Sequence, residues 1–467
     1  DRIYENAFLK VADNPLSTFS IDVDTASYSN MRRFLNQGDM PPKDAVRIEE
    51  LINYFSYNYP QPEGDAPFSV NVEIAPCPWN ADHKLARIGL KGKEIKQEHR
   101  PPANLVFLLD VSGSMASTNK LPLLKSAFKL LVNQLDEKDR VAIVVYAGAS
   151  GLVLPSTTCD RKTEIIESLD RLNAGGSTNG GAGIELAYKT VMENFDKDGI
   201  NRVILATDGD FNVGTTNQGD LIRMIEDKAK KGAFLTVLGF GMGNYKDSTL
   251  EKLADKGNGN YAYIDTFKEA RKVFAEQISG TLFTIAKDVK IQVEFNPAKT
   301  LAYRLIGYEN RLLKNEDFND DKKDAGEIGA GHTVTALYQI VPVGKEIGIE
   351  GGSVDGLKYQ KPPQLTDAAS GDELMTVKLR YKKPDGVKSK LIEYPIADPG
   401  LSFAQASEDF KFASSVASFG MLLRDSQFKG NATYASVLEI ADGAKGPDKH
   451  GYRTEFIDLV KTAKQIN

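Results

Sequence analysis

The chain has 467 residues, of which 41% are hydrophobic and 26% are charged, a balance typical of globular domains. A chain of this length is expected to hold about three domains. Its formal net charge is −6 and it has no dense block of lysine and arginine, which argues against nucleic acid as a partner. No apolar run approaches the ~18 residues that a membrane-spanning helix needs.

Cysteine and histidine give little support for sulfur or imidazole chemistry. Cys77 and Cys159 are too few for a disulfide framework, so we expect two unpaired thiols, with a single bridge as the alternative. The four histidines are scattered, and none has zinc-ligand spacing. Because the sequence begins at Asp1, we expect that any signal peptide or lipid anchor lies outside it.

The first hundred residues predict two segments. Residues 1–60 are predicted to be an N-terminal helical segment, with a short strand at Phe19–Val23 and helices at Tyr28–Gln37 and in "DAVRIEELINYF". Residues 61–102 contain "PFSVNVEIAP" and "HKLARIGLKG", which alternate apolar and polar residues as half-buried strands do. We expect these two strands to pair antiparallel.

Residues 103–284 alternate apolar strands with amphipathic helices. This alternation predicts an α/β fold with a doubly wound, mostly parallel, Rossmann-like sheet that carries helices on both faces. The predicted strands are Leu105–Leu109, Val141–Tyr146, Val203–Ala206, Phe234–Phe240 and Tyr261–Ile264, with a further edge strand at 151–156. The predicted helices are 121–135, 161–171, 181–195, 217–231, 246–256 and 267–283.

Residues 285–400 return to β structure, and residues 401–467 are predicted to be a C-terminal helical segment. The strands are "KDVKIQVEFNP", "TVTALYQIVPV", "ELMTVKLRYKKP" and "SKLIEYPI", and the polar stretch 314–331 is predicted to be a loop. Two strands alone are only marginally stable, so the pair within 61–102 needs a partner sheet. We therefore predict a β-sandwich-like domain into which residues 103–284 are inserted, or which they flank.

Oxygen-bearing side chains lie where three segments of the predicted parallel sheet end. The buried strand in "NLVFLLDVSGSMAS" ends on Asp110, and Ser112 and Ser114 follow at alternate positions. Thr178 lies in the loop "NAGGSTNGGAG", and Asp208 ends the strand in "RVILATDGDFNVG". Ligands collect beyond the carboxyl ends of parallel strands, and a set of oxygens alone suits a hard divalent cation such as Mg²⁺. One coordination position is left for water or for an acid from a partner.

This pattern resembles the metal-ion-dependent adhesion site of von Willebrand factor type A (VWA) domains. The resemblance implies that Ser112, Ser114 and Thr178 bind the ion directly, while Asp110 and Asp208 balance its charge. It implies Mg²⁺ as the ion, with Mn²⁺ and Ca²⁺ as alternatives. It also implies a partner protein that offers an aspartate or glutamate carboxylate.

The flanking segments carry a second resemblance. "STFSIDVDTASYSNMRRFLNQGDMPPKDAVRIEELINYF" and "ASSVASFGMLLRDSQFKG" are similar to regions on either side of the VWA domain in a bacterial envelope-associated family. The resemblance covers nearly the whole chain. It implies an exported protein that is periplasmic or associated with the cell envelope, with a lipoprotein anchor as a further option.

Other interpretations of these motifs stay open. The acid and serines after the first strand could cap the helix that follows. A phosphatase of the haloacid dehalogenase type would need an acid at Ser112. Asp22 and Asp24 in "SIDVDTAS" are closer to that motif, but we interpret them, with Ser27, as turn and helix-cap residues. A serine hydrolase would need the G-x-S-x-G elbow, which "DVSGS" lacks.

We therefore expect a non-enzymatic adhesion or scaffold protein whose VWA domain captures a partner carboxylate through a divalent cation. The first alternative is a structural role, in which the ion only stabilises the domain and partners dock elsewhere. A Mg²⁺-dependent hydrolase is the last alternative.

Overall fold

The computed structural model describes residues 2–21, 24–96, 98, 100–177, 180–209, 218–241, 247–323, 325–348, 364–384 and 386–467. The strands are β1 (Leu9–Lys10), β2 (Leu16–Ser20), β3 (Phe68–Cys77), β4 (Asn80–Gly92), β5 (Ala103–Asp110), β6 (Arg140–Tyr146), β7 (Ser150–Thr158), β8 (Ile200–Thr207), β9 (Ala233–Phe240), β10 (Tyr261–Ile264), β11 (Thr284–Phe295), β12 (Thr300–Ile306), β13 (Gly326–Gly329), β14 (Thr333–Pro342), β15 (Glu373–Lys382) and β16 (Lys390–Ala397). The α-helices are α1 (Ala26–Asn36), α2 (Ile48–Asn53), α3 (Leu121–Gln134), α4 (Lys162–Asp170), α5 (Gly180–Glu193), α6 (Gln218–Lys230), α7 (Asp247–Lys256), α8 (Phe267–Arg271), α9 (Ile278–Leu282), α10 (Glu408–Arg424), α11 (Tyr434–Gly443) and α12 (Tyr452–Ile466).

The central domain contains a sheet with the strand order β10-β9-β8-β5-β6-β7. Its strands are parallel except β7, which pairs antiparallel with β6 at the edge, as predicted for residues 151–156. Helices α3, α4 and α8 cover one face, and α5, α6 and α7 cover the other. This confirms the doubly wound, mostly parallel fold. The chain proceeds from β5 to β6 on one side and later returns to β8 on the other, so the strand order reverses at β5.

Two antiparallel sheets form a sandwich outside this domain. One has the order β1-β12-β14-β4-β3, and in the other β11 joins β13, β15 and β2, with β16 beyond β15. Both contribute to one core, in which Ile88 and Tyr338 lie with Ile291 and Val377. Strand β4 pairs with β3, as expected, and also with β14. Strands that precede and follow the central domain in sequence are therefore joined in one sandwich.

Helices from the two ends of the chain form a single layer on one of these sheets. Side chains of α1, α2, α10, α11 and α12 share a core with sheet residues such as Trp79, Leu85 and Leu337. The Trp79 indole donates a hydrogen bond of 3.1 Å to Gln339 Oε1, which satisfies its buried N–H. The N-terminal and C-terminal helical segments thus stabilise each other and the sheet beneath them.

Several elements differ from the sequence prediction. Strand β2 begins before the predicted strand at Phe19–Val23, and Val23 lies outside the described residues. Strand β12 was missed because Arg304, which is buried and lies over the Phe428 ring, interrupts its apolar pattern. The predicted loop 314–331 contains β13, a short glycine-bounded strand without apolar alternation, and a 3-10 turn at Asn315–Asn319.

The helix predicted at 267–283 is also interrupted. It is divided into α8, a π-helical turn at Lys272–Glu276 and α9. Lys272 begins this turn, is buried, and donates a hydrogen bond to the backbone carbonyl of Tyr54 in the N-terminal segment. The π-turn therefore lies where the central domain contacts the helical layer.

A buried arginine connects the N-terminal helical segment, the central domain and the C-terminal helical segment. Arg32 of α1 is only 2% exposed. Its guanidinium contacts Glu269 Oε2 of α8 and Glu455 Oε1 of α12, each at 2.9 Å, and Nε donates to Asp265 Oδ2 at 2.9 Å. Tyr54 also donates to Glu269, at 2.7 Å. These carboxylates compensate the buried charge and hold α8 against both ends of the chain.

Cys77 and Cys159 are buried and unpaired, as the sequence predicts. Burial raises the pKa of each thiol to about 12, so neither is a reactive thiolate at neutral pH.

Over the described residues, no helix combines the length and the apolar character needed to cross a bilayer.

Replacing Arg32 by methionine tests the buried charge cluster. We expect Arg32→Met to lower the free energy of unfolding by about 3–5 kcal/mol, because Glu269 and Asp265 keep buried charge without their cation. Urea denaturation measures the change. The control is Arg223→Met, which removes an exposed ion pair with Asp220 and should cost less than about 1 kcal/mol. Equal losses in the two variants would contradict the cluster's role.

Lys272 gives a pH-dependent prediction. Burial lowers the pKa of Lys272 to about 7, although the charge of Glu269 opposes this shift. Above pH 7 the unfolded chain therefore binds more protons at this lysine than the folded chain, and stability must rise with pH. Relative to Lys272→Met, wild-type stability should increase by about 1–3 kcal/mol from pH 7 to 9.

Urea denaturation of both proteins at pH 7, 8 and 9 measures this difference. Lys189→Met is the control, because the Lys189 side chain is exposed and should show no such trend. Parallel stability curves for wild type and Lys272→Met would contradict the prediction.

Candidate metal centre

The candidate centre lies where the strand order of the parallel sheet reverses. Strand β5 is buried along its whole length and ends on Asp110, which is opposite Tyr146 of β6 in the sheet register. On its other side, Leu109 pairs with Ala206 of β8, so Asp110 and Thr207 end adjacent strands. The topology therefore places the carboxyl ends of β5 and β8 side by side, where open α/β sheets bind ligands.

Asp110 is a fully buried carboxylate held by neighbouring donors. Its Oδ1 accepts the Ser112 N–H at 2.9 Å, and its Oδ2 accepts the Thr207 hydroxyl at 3.2 Å. Burial raises the pKa of Asp110, hydrogen bonds from Ser112 and Thr207 oppose the rise, and the charge of Asp208 adds to it. A cation at this position would offset the cost of burying that charge.

The two serine hydroxyls lie close together in the loop that follows Asp110. Ser112 Oγ and Ser114 Oγ are 3.0 Å apart. Ser112 is buried, whereas Ser114 is exposed. Ser112 precedes the 3-10 turn Gly113–Ala116 but makes no side-chain capping hydrogen bond, and helix α3 has Lys120 at its N-cap. The Ser112 side chain therefore does not cap the turn that follows it, and none of these residues is the N-cap of α3.

The positions of these oxygens fit a small divalent cation. Two ligands at right angles around Mg²⁺ lie about 2.9 Å apart when each metal–oxygen distance is 2.0–2.1 Å. The Ser112 and Ser114 hydroxyls form a hydrogen bond of 3.0 Å with each other, and this spacing is also compatible with that separation. Within the described ranges, no group of three or more His, Cys, Asp and Glu side chains forms a rival metal site.

Thr178 lies outside the described residues, but the loop that leads to it is attached to the first loop. The Gly175 N–H donates to the Val111 carbonyl at 2.8 Å, and the Gly113 N–H donates to the Gly176 carbonyl at 3.0 Å. Gly176 has a φ of +84°, which favours glycine. The second predicted loop therefore reaches the edge where Asp110 and Ser112 lie.

Asp208 is buried and forms an ion pair that the sequence analysis did not anticipate. Lys120 Nζ lies 2.8 Å from Asp208 Oδ2. The available signal was a lysine directly before a helix, where its charge opposes the helix dipole and needs a compensating partner.

Thr207 and Tyr146 are further residues that sequence reasoning missed. The Thr207 hydroxyl donates to Asp110 and accepts the Gly209 N–H, both at 3.2 Å. Tyr146 lies fully buried beside the strand tip, and burial raises its pKa well above the usual value, with the charge of Asp110 as the next contribution. The signal for Thr207 was its place in "TDG", one residue before the candidate ligand.

Asp24 and Ser27 do not cap helix α1, whose N-cap residue is Thr25. Asp24 Oδ1 instead accepts the Tyr261 N–H at 2.9 Å, and the Ser27 hydroxyl donates to the Ala45 carbonyl at 2.7 Å. They therefore attach the helix to its neighbours, and their interpretation as cap residues is wrong. Asp22 lies outside the described residues.

Comparison with known proteins identifies the family. Residues 104–276 match the family model "von Willebrand factor type A domain", residues 280–466 match "Uncharacterized protein YfbK, C-terminal", and residues 1–87 match "von Willebrand factor". The chain is 45% identical to "Uncharacterized protein YfbK" of Escherichia coli (strain K12) over 469 residues, covering 99% of this chain and 80% of that protein. The chain belongs to the YfbK family. Both resemblances drawn from the sequence, to VWA domains and to a bacterial family with these flanks, are confirmed.

More distant matches cover less of the chain or carry lower similarity. "Uncharacterized protein sll0103" of Synechocystis is 28% identical over 192 residues, which are 41% of this chain and 44% of that protein. The solved structure "von Willebrand factor type A from Catenulispora acidiphila" is 17% identical, covers 85% of this chain and 91% of its own, and has a TM-score of 0.45.

Thr207→Val tests whether Thr207 supports the buried acid. We expect the free energy of unfolding in EDTA to fall by about 1–3 kcal/mol, because Asp110 and the Gly209 N–H each lose a partner. Urea denaturation measures the change. Thr190→Val is the control, because the Thr190 hydroxyl donates to the Leu186 carbonyl within its own helix, α5. The control should change stability by less than about 0.5 kcal/mol, and equal effects would contradict the prediction.

Proposed function

We propose that this protein is a non-enzymatic adhesion or scaffold protein whose VWA domain binds a partner through a divalent cation. VWA domains mediate protein–protein interaction, and the finer proposal concerns the ion and the partner group. The ion, foremost Mg²⁺, would be held by Asp110, Ser112, Ser114, Thr178 and Asp208. The single observation that carries the proposal is the 3.0 Å spacing of the Ser112 and Ser114 hydroxyls next to the buried carboxylate of Asp110.

Each residue of the proposed centre would have a different role. Asp110 supplies buried negative charge, and the Ser112 N–H and the Thr207 hydroxyl keep its carboxylate oriented. Ser112 and Ser114 offer neutral oxygens, so the site does not over-neutralise a 2+ charge. When bound, the cation supplies positive charge and an open coordination position to which a partner's aspartate or glutamate can bind. The exposure of Ser114 favours access from solvent.

We further propose that the centre catalyses no reaction. A haloacid dehalogenase-type phosphatase would need a second acid at Ser112, whose side chain offers a hydroxyl instead. The envelope location that the family resemblance implies is part of this proposal. If the ion only stabilised the domain, partner binding would not depend on it, and this is the alternative that the following experiment separates.

Ser114→Ala is the sharpest test, because it removes one ligand oxygen at an exposed position where the fold should tolerate the change. Isothermal titration with Mg²⁺, Mn²⁺ and Ca²⁺ should show binding to the wild type and at least tenfold weaker binding to Ser114→Ala. Ser126→Ala is the control: the Ser126 hydroxyl is also exposed and donates to the Pro122 carbonyl within helix α3, so the metal affinity of this variant should equal that of the wild type.

Partner capture is then measured by pull-down from an envelope extract, with Mg²⁺ or with EDTA. A partner retained by the wild type with Mg²⁺, and lost both with EDTA and with Ser114→Ala, supports the proposal. Equal capture by Ser114→Ala would overturn carboxylate capture and favour the structural role. Turnover of p-nitrophenyl phosphate by the wild type, abolished in Ser114→Ala, would overturn the non-enzymatic proposal.

A further inference from the structure

A positively charged side chain, Lys120, lies in the candidate centre. Lys120 Nζ lies 2.8 Å from Asp208 Oδ2, and the two side chains are 17% and 1% exposed. Asp208 is one of the two acids proposed to balance the charge of the metal ion. The ammonium group of Lys120 therefore neutralises charge that the ion would use.

The backbone of Lys120 is fixed on both sides. Its N–H donates to the Ser117 carbonyl at 3.0 Å, and its carbonyl accepts the Leu124 N–H at 2.8 Å in the first turn of α3. As the N-cap residue of α3, Lys120 holds its charge at the end of the helix where positive charge is unfavourable. Helix stability therefore does not explain the lysine, whereas its ion pair with Asp208 does.

The side chain of Lys120 also lies against a glycine. Gly241, the residue directly after β9, has a φ of +88°, and a Cβ atom there would overlap the methylene groups of Lys120. The Gly241 carbonyl accepts a hydrogen bond from the Tyr263 hydroxyl, which holds this part of the backbone in place. The fold thus leaves a defined space along which the lysine reaches Asp208.

We propose that Lys120 competes with the divalent cation by pairing with Asp208, and thereby weakens metal binding. This inference rests on the proposed metal centre. Two positive groups that draw on the same buried carboxylate repel each other, so the ion and the ammonium oppose each other's binding. The centre would then fill only at a relatively high concentration of divalent ion, and removing the lysine would lower that concentration.

The test measures Mg²⁺ affinity by isothermal titration for the wild type, Lys120→Met and Lys120→Arg. We expect Lys120→Met to bind Mg²⁺ at least tenfold more tightly than the wild type. Lys120→Arg keeps the positive charge, so its Mg²⁺ affinity should stay within about threefold of the wild-type value. The tenfold change expected for Lys120→Met corresponds to about 1.4 kcal/mol. Lys189→Met removes an exposed lysine and controls for the change in net charge.

A second measurement separates competition from a merely structural ion pair. In EDTA, Lys120→Met should unfold at a lower temperature than the wild type, because Asp208 loses its ammonium partner, and Mg²⁺ should raise its unfolding temperature more than it raises that of the wild type. A lower unfolding temperature in EDTA with unchanged or weaker Mg²⁺ affinity would overturn the proposal. Absence of divalent-ion binding in both proteins would overturn the metal centre and this inference together, whereas normal wild-type binding with unchanged Lys120→Met affinity overturns this inference alone.

Discussion

The pairing of β4 with β14 is the constraint on which the whole arrangement depends. It joins residues such as Leu90 and Val334, which lie on opposite sides of the VWA domain in the sequence. Because the two sheets share one core, the sandwich cannot form until both parts of the chain are present. The VWA domain is therefore held at both of its ends, and its last helical segment, α8 to α9, leads directly into β11 of the sandwich.

Buried charge performs two different tasks in this molecule. At the junction, Arg32 is surrounded by carboxylates from other elements, so its burial is compensated by groups that are always present. At the strand tips, Asp110 is buried among neutral donors, and burial raises its pKa. The first arrangement stabilises the fold, whereas the second would leave negative charge for the proposed cation. Burying a carboxylate without a cationic partner costs stability, and such a local cost is expected at a site that binds a group from outside the chain.

Much of the fold could be predicted because apolar periodicity reports burial directly. The strand at Tyr261–Ile264 has the same bounds in the prediction and in the structure. Prediction failed where a polar residue is buried, as with Arg304 in β12, or where backbone geometry changes inside an apolar pattern, as in the π-turn that begins at Lys272. The buried arginine interrupts the apolar pattern of β12, and the π-turn changes the backbone without changing the apolar spacing, so periodicity could reveal neither.

The same distinction applies to the candidate centre. The positions of Asp110 and Ser112 follow from a strand that ends in polar residues, and strand topology then brings β8 beside them. The place of Lys120 before a helix indicates that it needs a compensating partner, but the partner, Asp208, is distant in sequence and is identified by the three-dimensional fold. The metal-ligand role of the five candidate residues stays a proposal. One of them, Thr178, lies outside the described residues.

The points where the chain leaves and re-enters the sandwich are neighbours. A Cβ atom at Gly92, the last residue of β4, would overlap the side chain of Ile285 near the start of β11. These two strands belong to different sheets of the sandwich. A mechanical pull on the tips of the parallel sheet would consequently be divided between both sheets at adjacent points. Each sheet of the sandwich would then bear part of the applied force, and neither would bear all of it.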